Sequence, residues 1–165
     1  MKSAKIGLGG GCHWCTEAVF QQIKGVNKVE QGYIASEGKA KEYSEGILVH
    51  YNPENVSLKE LIEIHLHTHK STSEHSFRTK YRSAVYYFNR EEENSIKNIL
   101  LELQSNFNTN IITQILPMLS FKLSRESIRD YYKKHPEAPF CKRYIEPKLN
   151  LLLTDFKEKV VAKNI

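Results

Sequence analysis

Three consecutive glycines, Gly9 to Gly11, join a short apolar segment to a helical pattern, and this junction constrains the fold more than any other feature of the sequence. Residues 5–9 predict a short strand, and the apolar spacing in 16–23 predicts a helix that Gly25 ends. Glycines allow positive φ and a close approach of the backbone to its neighbours. We therefore expect a tight turn that leaves Cys12 at the N-terminus of a helix.

Strands and helices mix irregularly along the rest of the chain. Further strands are predicted at 26–33, 46–51, 83–88 and 111–116. Further helices are predicted at 58–69, 89–105, 124–134 and 147–159, the first of them with a capping box between Ser57 and Glu60. A mixture without strict alternation favours an α+β fold with a mixed or antiparallel sheet flanked by helices. No repeat or linker divides the sequence, so we expect residues 1–165 to form a single domain.

The composition is that of a folded globular protein. Of the 165 residues, 40% are hydrophobic and 26% are charged, and no apolar run approaches the roughly 20 residues that cross a bilayer. Residues 1–12 lack the apolar core of a signal peptide. The net charge is +5, but the basic residues are scattered among glutamates rather than gathered in a stripe with aromatics. We expect a cytoplasmic protein with no nucleic-acid partner and no membrane partner.

The three cysteines, Cys12, Cys15 and Cys141, indicate reactive thiols rather than a disulfide framework. An extracellular framework usually has an even number of cysteines at regular spacing, whereas two of these lie in a C-x-x-C pattern. At a helix N-terminus, free N–H groups and the helix dipole favour the thiolate of Cys12, which suits a nucleophile. The alternative is a buried, inert cysteine beside a tight turn.

The C-x-x-C pattern leaves two other interpretations open. Cys12 and Cys15 at a helix start can close into a redox disulfide. They can also supply half of a zinc site, for which the cluster of His65, His67 and His69 offers the further ligands. The competing interpretation of those histidines is a polar helix face.

Glu45 directly precedes the apolar strand GILVHY. Inside a cleft, a desolvated carboxyl has a raised pKa and acts as a proton donor, whereas at a sheet edge it is simply solvated. Tyr33 and Tyr81 are polar-tipped aromatics at the ends of predicted elements, where each can equally be a packing residue. Spacing alone does not bring these three side chains to Cys12.

Several blocks of the sequence, in order, resemble the peptide methionine sulfoxide reductase A family. The first, GCHWCTEAVF, is similar to the family's G-C-F-W-x-x-E-x-x-F. The later blocks are Gly32-Tyr33, Glu45 ahead of Tyr51-Asn52-Pro53, YRSAVYY at 81–87, and Pro139-Phe140-Cys141 followed by Ile145-x-Pro147-Lys148. The resemblance covers nearly the whole chain and implies an α+β fold with a ferredoxin-like core.

The resemblance implies a role for each candidate side chain. Cys12 matches the cysteine that attacks the sulfur of the S-sulfoxide and becomes a sulfenic acid as methionine leaves. Glu45 matches the proton donor, and Tyr33 and Tyr81 match tyrosines that hydrogen-bond the sulfoxide oxygen. Trp14 matches the aromatic residue that packs the substrate's methyl group, since an indole face suits a soft S-methyl group.

The resemblance also implies how the enzyme is recycled. A second thiol converts the sulfenic acid to a disulfide, which thioredoxin or another dithiol reduces. Cys15 and Cys141 are both candidates and can act in relay, Cys15 first; we expect Cys141 on a proline-flanked loop after 135–139. The reaction then needs no metal and no organic cofactor. The substrates are oxidised proteins or free methionine sulfoxide, and we expect a monomer because an open cleft must reach other proteins.

Three departures from the family pattern lie around the expected substrate cleft. His13 replaces a phenylalanine of the methyl pocket, Lys70 replaces an acidic residue, and the loop before Glu45 is much shorter. His13 is accordingly a further candidate substrate-binding residue. The departures motivate an alternative hypothesis, in which the chain keeps the fold but acts as a thiol redox sensor or binding protein.

Overall fold

The computed structural model describes residues 3–74 and 78–161. Within them, the strands are β1 (Ala4–Gly9), β2 (Val26–Ala35), β3 (Ser44–Tyr51), β4 (Ala84–Tyr87), β5 (Gln114–Pro117) and β6 (Ser120–Leu123). The α-helices are α1 (His13–Phe20), α2 (Leu58–His67), α3 (Arg90–Leu103), α4 (Tyr131–Lys134) and α5 (Glu146–Asp155). The prediction of a single domain over 1–165 extends beyond these residues and stays a prediction.

β1 lies inside a mixed sheet whose strand order is β5-β4-β1-β3-β2-β6. Neighbouring strands are antiparallel except β4 and β5, which are parallel. The predicted α+β fold with a mixed sheet flanked by helices is confirmed, while the ferredoxin-like core stays a prediction. Because β1 ends beside the start of β3, and Tyr33 in β2 lies opposite Glu45 in β3, one end of the sheet collects several candidate site segments.

The two faces of the sheet bury different side chains, as the period-two alternation of a strand requires. On β3, Ile47 and Val49 belong to the main core, whereas Leu48 packs on the opposite face. β4 alternates in the same way between Val85 and Tyr86. The helices add to the main core the buried side chains Phe20, Leu61, Ile64, Ile96 and Leu149. Apolar burial on this scale fixes α1 and α2 against the sheet.

α2 begins as its sequence predicts. The Ser57 Oγ accepts a hydrogen bond from the Glu60 N–H at 3.0 Å, and the Ser57 N–H donates to Glu60 Oε1 at 2.9 Å. The capping box is therefore confirmed. None of the helices in 3–74 and 78–161 combines the length and apolar character needed to cross a membrane.

The helix predicted at 124–134 is wrong. The structure has β6 immediately before this segment, then a 3₁₀ turn at Glu126–Ile128 and only one helical turn in α4. Asp130 adopts φ 56°, which interrupts a right-handed helix. The cause lies far away in sequence, because both carboxylate oxygens of Glu17 accept the Asp130 N–H at 3.0 Å.

The C-terminal segment also differs from the prediction. Cys141 does not lie on a loop but begins a π-helical turn, Cys141–Ile145, that continues into α5. The helix predicted at 147–159 therefore starts earlier and ends at Asp155. The strand predicted at 111–116 is shifted to Gln114–Pro117, so that Pro117 lies within it. An edge strand tolerates proline because one side of it needs no N–H donor.

Removing the Glu17 carboxylate should destabilise the protein. Glu17 is buried and also accepts a hydrogen bond from Gln31 Nε2 at 2.8 Å, so Glu17→Ala leaves buried donors without their acceptor. We expect the free energy of unfolding to fall by about 1–3 kcal/mol in urea denaturation. The control Glu37→Ala, at an exposed position, should change it by less than about 0.5 kcal/mol. Equal effects of the two variants would contradict this role of Glu17.

Candidate active site

Cys12 lies directly at the N-terminus of α1. The helix starts at His13, three residues earlier than predicted, and Cys12 is its N-cap residue. The Cys12 carbonyl accepts hydrogen bonds from the N–H groups of Cys15 at 3.1 Å and Thr16 at 3.2 Å. The thiol is half-buried. The predicted placement of a cysteine at a helix start is therefore confirmed.

The glycine turn before Cys12 works by close approach and not by unusual dihedral angles. The expectation of positive φ in Gly9 to Gly11 is wrong, since the glycines with positive φ in the described residues are Gly25 and Gly38. A Cβ on Gly9 would meet the carbonyl oxygen of Glu45 at 3.0 Å, and one on Gly10 would meet the His69 ring at 2.4 Å. Side chains at these two positions would push the turn away from β3 and from the His69 ring.

The pKa values of the two thiols in the C-x-x-C pattern shift in opposite directions. A hydrogen bond with Cys15 lowers the pKa of Cys12, aided by the N–H groups of Trp14 and Cys15 and opposed by burial and by the charge on Glu45. The same hydrogen bond raises the pKa of Cys15, and burial adds to it. Of the two, Cys12 thus ionises more readily and Cys15 is the thiol that donates to it, which gives Cys12 the character of a nucleophile.

Glu45 lies over the first turn of α1. Its Oε1 accepts the His13 N–H at 3.1 Å, and its Oε2 is 3.8 Å from Lys80 Nζ. The side chain is buried, and its backbone N–H donates to the Lys80 carbonyl at 2.9 Å. The sheet therefore brings this carboxyl group next to the nucleophile, although the two residues are far apart in sequence.

His13 fills the space between Glu45 and Tyr33. Its Nδ1 donates to the Gly32 carbonyl at 2.9 Å, its Nε2 is 3.6 Å from Glu45 Oε1, and its ring packs edge-on against Tyr33 at 5.1 Å. Burial lowers the pKa of His13, so the imidazole is neutral near pH 7. The polar atoms of His13 therefore face Glu45 and β2 rather than the cavity at Cys12.

A cavity of about 530 Å³ opens at Cys12. Its walls include Cys12, Cys15, His69, Lys70, Tyr81 and Lys148. Of the predicted site residues, the cavity therefore gathers the two thiols of α1 with Tyr81. A second cluster lies at the N-terminus of α1 and consists of His13, Glu45 and Tyr33.

Trp14 is not in the cavity wall. Its indole stacks on Tyr131 with ring centroids 3.8 Å apart and planes 3° apart, and Phe140 meets it edge-on at 5.1 Å. Its Nε1 is buried without a hydrogen-bond partner among the described residues. This aromatic cluster fastens α1 to the segment that carries Cys141.

Cys141 is fully buried, with its Sγ donating to the His135 carbonyl at 3.1 Å. Burial raises the pKa of the Cys141 thiol. Its charge is also the least of the causes that raise the pKa of Cys15, after the hydrogen bond that Cys15 donates to Cys12, burial and the charge of Cys12. Cys15 thus interacts with both other thiols, and all three are free.

Comparison with known proteins identifies the family. The model of the family described as Peptide methionine sulfoxide reductase matches residues 4–160. The chain belongs to this family. It is 30% identical over 167 residues to "Peptide methionine sulfoxide reductase MsrA 1" of Rhodopirellula baltica, which covers 93% of this chain and 87% of the relative.

Solved structures of Mxr1 from Saccharomyces cerevisiae share the fold. The reduced form has a TM-score of 0.75 and 24% identity, covering 85% of this chain and 90% of that one. A structure of Mxr1 in complex with Trx2 has a TM-score of 0.64 and 24% identity, covering 79% and 85%. These similarities agree with the mixed sheet described above.

Lys148 is a cavity residue that sequence reasoning missed. Its ammonium group is half-buried beside the thiols and donates to the Thr68 carbonyl. Burial lowers the pKa of Lys148, while the charges of Cys15 and Cys12 oppose that change. The residue appears in the Ile145-x-Pro147-Lys148 block of the family resemblance, but only the fold brings it to Cys12.

Arg78 ties the glycine turn to the Tyr81 segment. Its Nη1 donates to the carbonyls of Gly10 at 3.1 Å and Tyr81 at 2.8 Å. Its Nε and Nη2 donate to Ser73, and Nη2 also to Lys70. One guanidinium therefore holds both sides of the cavity mouth through backbone carbonyls.

His65 in α2 and His69, just after this helix, support the turn. His65 Nε2 donates to the Gly9 carbonyl at 2.8 Å, and His69 contacts the His65 carbonyl through Nδ1 at 2.5 Å and Ser83 Oγ through Nε2 at 2.7 Å. The ring centroids of His65 and His69 are 4.2 Å apart. His67 points elsewhere and stacks on Phe107 at 4.7 Å. No group of three or more metal-binding side chains occurs in residues 3–74 and 78–161.

His65 should make the protein less stable in acid. Burial lowers the pKa of His65 to about 4 from its ordinary value of 6.5, so between these values the unfolded chain binds more protons than the folded protein. The stabilisation of the neutral form is complete above pH 6.5 and is lost as the pH falls toward 4, by on the order of 3 kcal/mol.

Urea denaturation between pH 7 and pH 4 measures this effect, with pH values chosen around the range over which His65 titrates. His65→Gln keeps a donor without a titrating ring and should reduce the loss of unfolding free energy on acidification. His67→Gln, on the same helix, should keep the wild-type dependence. An unchanged pH dependence in His65→Gln would show that His65 does not carry it.

Proposed function

We propose that the protein is a thiol-dependent reductase of methionine S-sulfoxide with Cys12 as its nucleophile. The observation that carries the proposal is the helix start at Cys12, where a thiol of lowered pKa meets the Glu45 carboxyl through the His13 N–H. A soft thiolate and an adjacent acid are the two groups that sulfoxide reduction needs. Membership of the family supports the same reaction.

In the first step, the Cys12 thiolate attacks the sulfoxide sulfur. The sulfoxide oxygen is a poor leaving group until it is protonated, and Glu45 supplies the proton. Tyr33 and Tyr81 donate hydrogen bonds to that oxygen as charge develops on it. The protonated oxygen passes from the substrate sulfur to the sulfur of Cys12, and the bond between the two sulfurs breaks. The substrate sulfur gains two electrons and leaves as methionine, while Cys12 loses two electrons and becomes a sulfenic acid.

Trp14 and His13 are the two further residues proposed to shape the substrate site. Trp14 offers the indole surface that Tyr131 leaves uncovered, and a polarizable ring suits an S-methyl group. His13 packs against Glu45 and Tyr33 and holds them in place, and it does not contact the methyl group. Its neutral imidazole keeps that site free of an extra positive charge.

The sulfenic acid is resolved first by Cys15 and then by Cys141. The thiol of Cys15 already donates to Cys12, so attack on the sulfenic sulfur expels water and forms the Cys12–Cys15 disulfide with little movement. Cys141 then exchanges with this disulfide. The electrons come from thiols, so the reaction needs no metal or organic cofactor.

Thioredoxin is the proposed external reductant, with another dithiol as its substitute. Mxr1, whose structure is similar, has been solved in complex with Trx2. The substrates are oxidised proteins or free methionine sulfoxide, so the biological role is repair of oxidised methionine. Three free thiols suit the reducing cytoplasm, and we infer a single domain over 1–165 that acts as a monomer.

Reduction of a peptide that carries both methionine sulfoxide epimers, with dithiothreitol as reductant, tests the function. The wild type should consume the S epimer and leave the R epimer, and Cys12→Ser should be inactive because the pKa of Cys15, the other thiol in the cavity wall, is raised. Glu45→Gln should lower kcat by about 10²- to 10⁴-fold through loss of the proton donor. Glu30→Gln, a carboxylate paired with His50, is the matched control and should keep wild-type activity.

The redox-sensor hypothesis predicts a different result in the same assay. Its motive is the changed cleft with His13 and Lys70. Disulfide formation with peroxide, without any turnover of sulfoxide, would favour the sensor and exclude the reductase. An active Cys12→Ser variant would also exclude the proposed mechanism.

Mass spectrometry of disulfides after one turnover without reductant tests the relay. Cys141→Ser should accumulate the Cys12–Cys15 disulfide, and the wild type should pass on to a disulfide that contains Cys141. Cys15→Ser should still form one methionine per protein but close its disulfide more slowly, because Cys141 is buried against the His135 carbonyl. Rapid formation of a Cys12–Cys141 disulfide in that variant, at the wild-type rate, would contradict the proposed order.

A further inference from the structure

The cavity at Cys12 shares part of its wall with a second cavity of about 230 Å³. Both are lined by Thr68, His69, Lys70 and Lys148, and the second extends along Pro147 at the start of α5. We call the two together the Cys12 groove. A substrate whose sulfoxide reaches Cys12 therefore has room to lay a neighbouring part of its chain along these residues.

The described walls of the Cys12 groove carry two lysines without a carboxylate counterpart. Lys70 and Lys148 line both cavities, and no aspartate or glutamate is among the described residues that line either. Other lysines of the protein are paired, as Lys142 is with Glu137 at 2.9 Å. Among the described residues, no carboxylate lies within 4.0 Å of the ammonium group of Lys70 or Lys148.

Lys148 has unused hydrogen-bonding capacity. An ammonium group has three donors, and in the described residues the acceptor of Lys148 is the Thr68 carbonyl. The nearby charge of Lys70 destabilises the charged form of Lys148 in addition to burial. The Arg78 guanidinium donates to the Lys70 carbonyl and adds further positive charge. Lys148 is half-buried whereas Lys70 is exposed, and two neighbouring cations that repel each other are stabilised when an anion lies between them.

The anion that fits is a carboxylate on the substrate itself. The groove shares its wall with the nucleophile, so its occupant must be attached to the sulfoxide that Cys12 attacks. A substrate offers a carboxylate either as a neighbouring aspartate or glutamate side chain or as the α-carboxylate of free methionine sulfoxide. Ammonium groups bind a carboxylate with charge-assisted hydrogen bonds.

We propose that Lys70 and Lys148 bind a carboxylate next to the reacting sulfoxide, so that the enzyme prefers methionine sulfoxide with an acidic neighbour. The proposal rests on the proposed function, and it makes Lys70 a residue that determines specificity. The interaction is equally present before and in the transition state, so it lowers KM and leaves kcat nearly unchanged.

Kinetics with matched substrates test the proposal, with the full chain and dithiothreitol as reductant so that no thioredoxin surface contributes. One pair is two methionine sulfoxide peptides that differ only in a flanking glutamate or glutamine. The other pair is free methionine sulfoxide and its amide. The protein variants are Lys70→Gln, Lys70→Glu and, as a control, Lys97→Gln at an exposed position of α3.

In the wild type, kcat/KM for the glutamate peptide should exceed that for the glutamine peptide by about 3- to 10-fold, mainly through KM. The ratio should fall toward 1 in Lys70→Gln, fall below 1 in Lys70→Glu, and keep its wild-type value in Lys97→Gln. Added salt should reduce the wild-type ratio. The wild type could instead show a higher kcat/KM only for free methionine sulfoxide over its amide. If Lys70→Gln removed that difference, the groove would be assigned to the α-carboxylate, which would also support the proposal.

Two results would overturn the proposal. One is equal kcat/KM within both substrate pairs for the wild type, and the other is a preference that Lys70→Gln leaves unchanged. In both results the protein still reduces the glutamine peptide, so the reductase function remains intact. Absence of Cys12-dependent turnover for every substrate would instead overturn the proposed function.

Discussion

The hydrogen bond from the His13 N–H to Glu45 Oε1 is the contact on which the site depends. It joins the N-terminus of α1, which favours a thiolate at Cys12, to the first residues of β3, which carry the carboxyl group. The contact exists because β1 and β3 are neighbours and because Gly9 lets the two backbones approach. One short turn thereby sets the distance between the nucleophile and the acid.

The N-terminus of α1 also gives its two cysteine thiols different pKa values. Cys12 and Cys15 are both cysteines, yet a single hydrogen bond between them moves their pKa values in opposite directions. Groups whose environments push their pKa values apart are the ones that divide acid and base work in an active site. In the proposed reaction this division lets Cys12 attack the substrate and Cys15 follow it, while burial keeps the Cys141 thiol out of the first step.

The local parts of this arrangement could be predicted from the sequence, and the long-range parts could not. The helix start at Cys12 and the capping box at Ser57 depend on neighbouring residues alone. Asp130 breaks a predicted helix because of Glu17, more than a hundred positions away, and no local pattern reports that contact. Trp14 stacks on Tyr131 for the same kind of reason.

In the candidate site, too, the sequence pattern predicts which residues matter but not which of them lie close together. Residue types singled out Cys12 and Glu45, and resemblance to the family assigned their roles. Their proximity follows from the strand order, in which β3 lies between β1 and β2. Lys148 reaches the cavity only because α5 packs against α1, so its contribution to the charge of the groove required the structure.

Chemical trapping of the oxidised nucleophile tests the central claim most directly. A variant with both Cys15→Ser and Cys141→Ser should form one methionine per protein from the S-sulfoxide without reductant and carry one dimedone adduct at Cys12, because its sulfenic acid has no thiol to meet. Neither methionine nor the R-sulfoxide should produce the adduct. Release of methionine while Cys12 stays a free thiol would contradict the account.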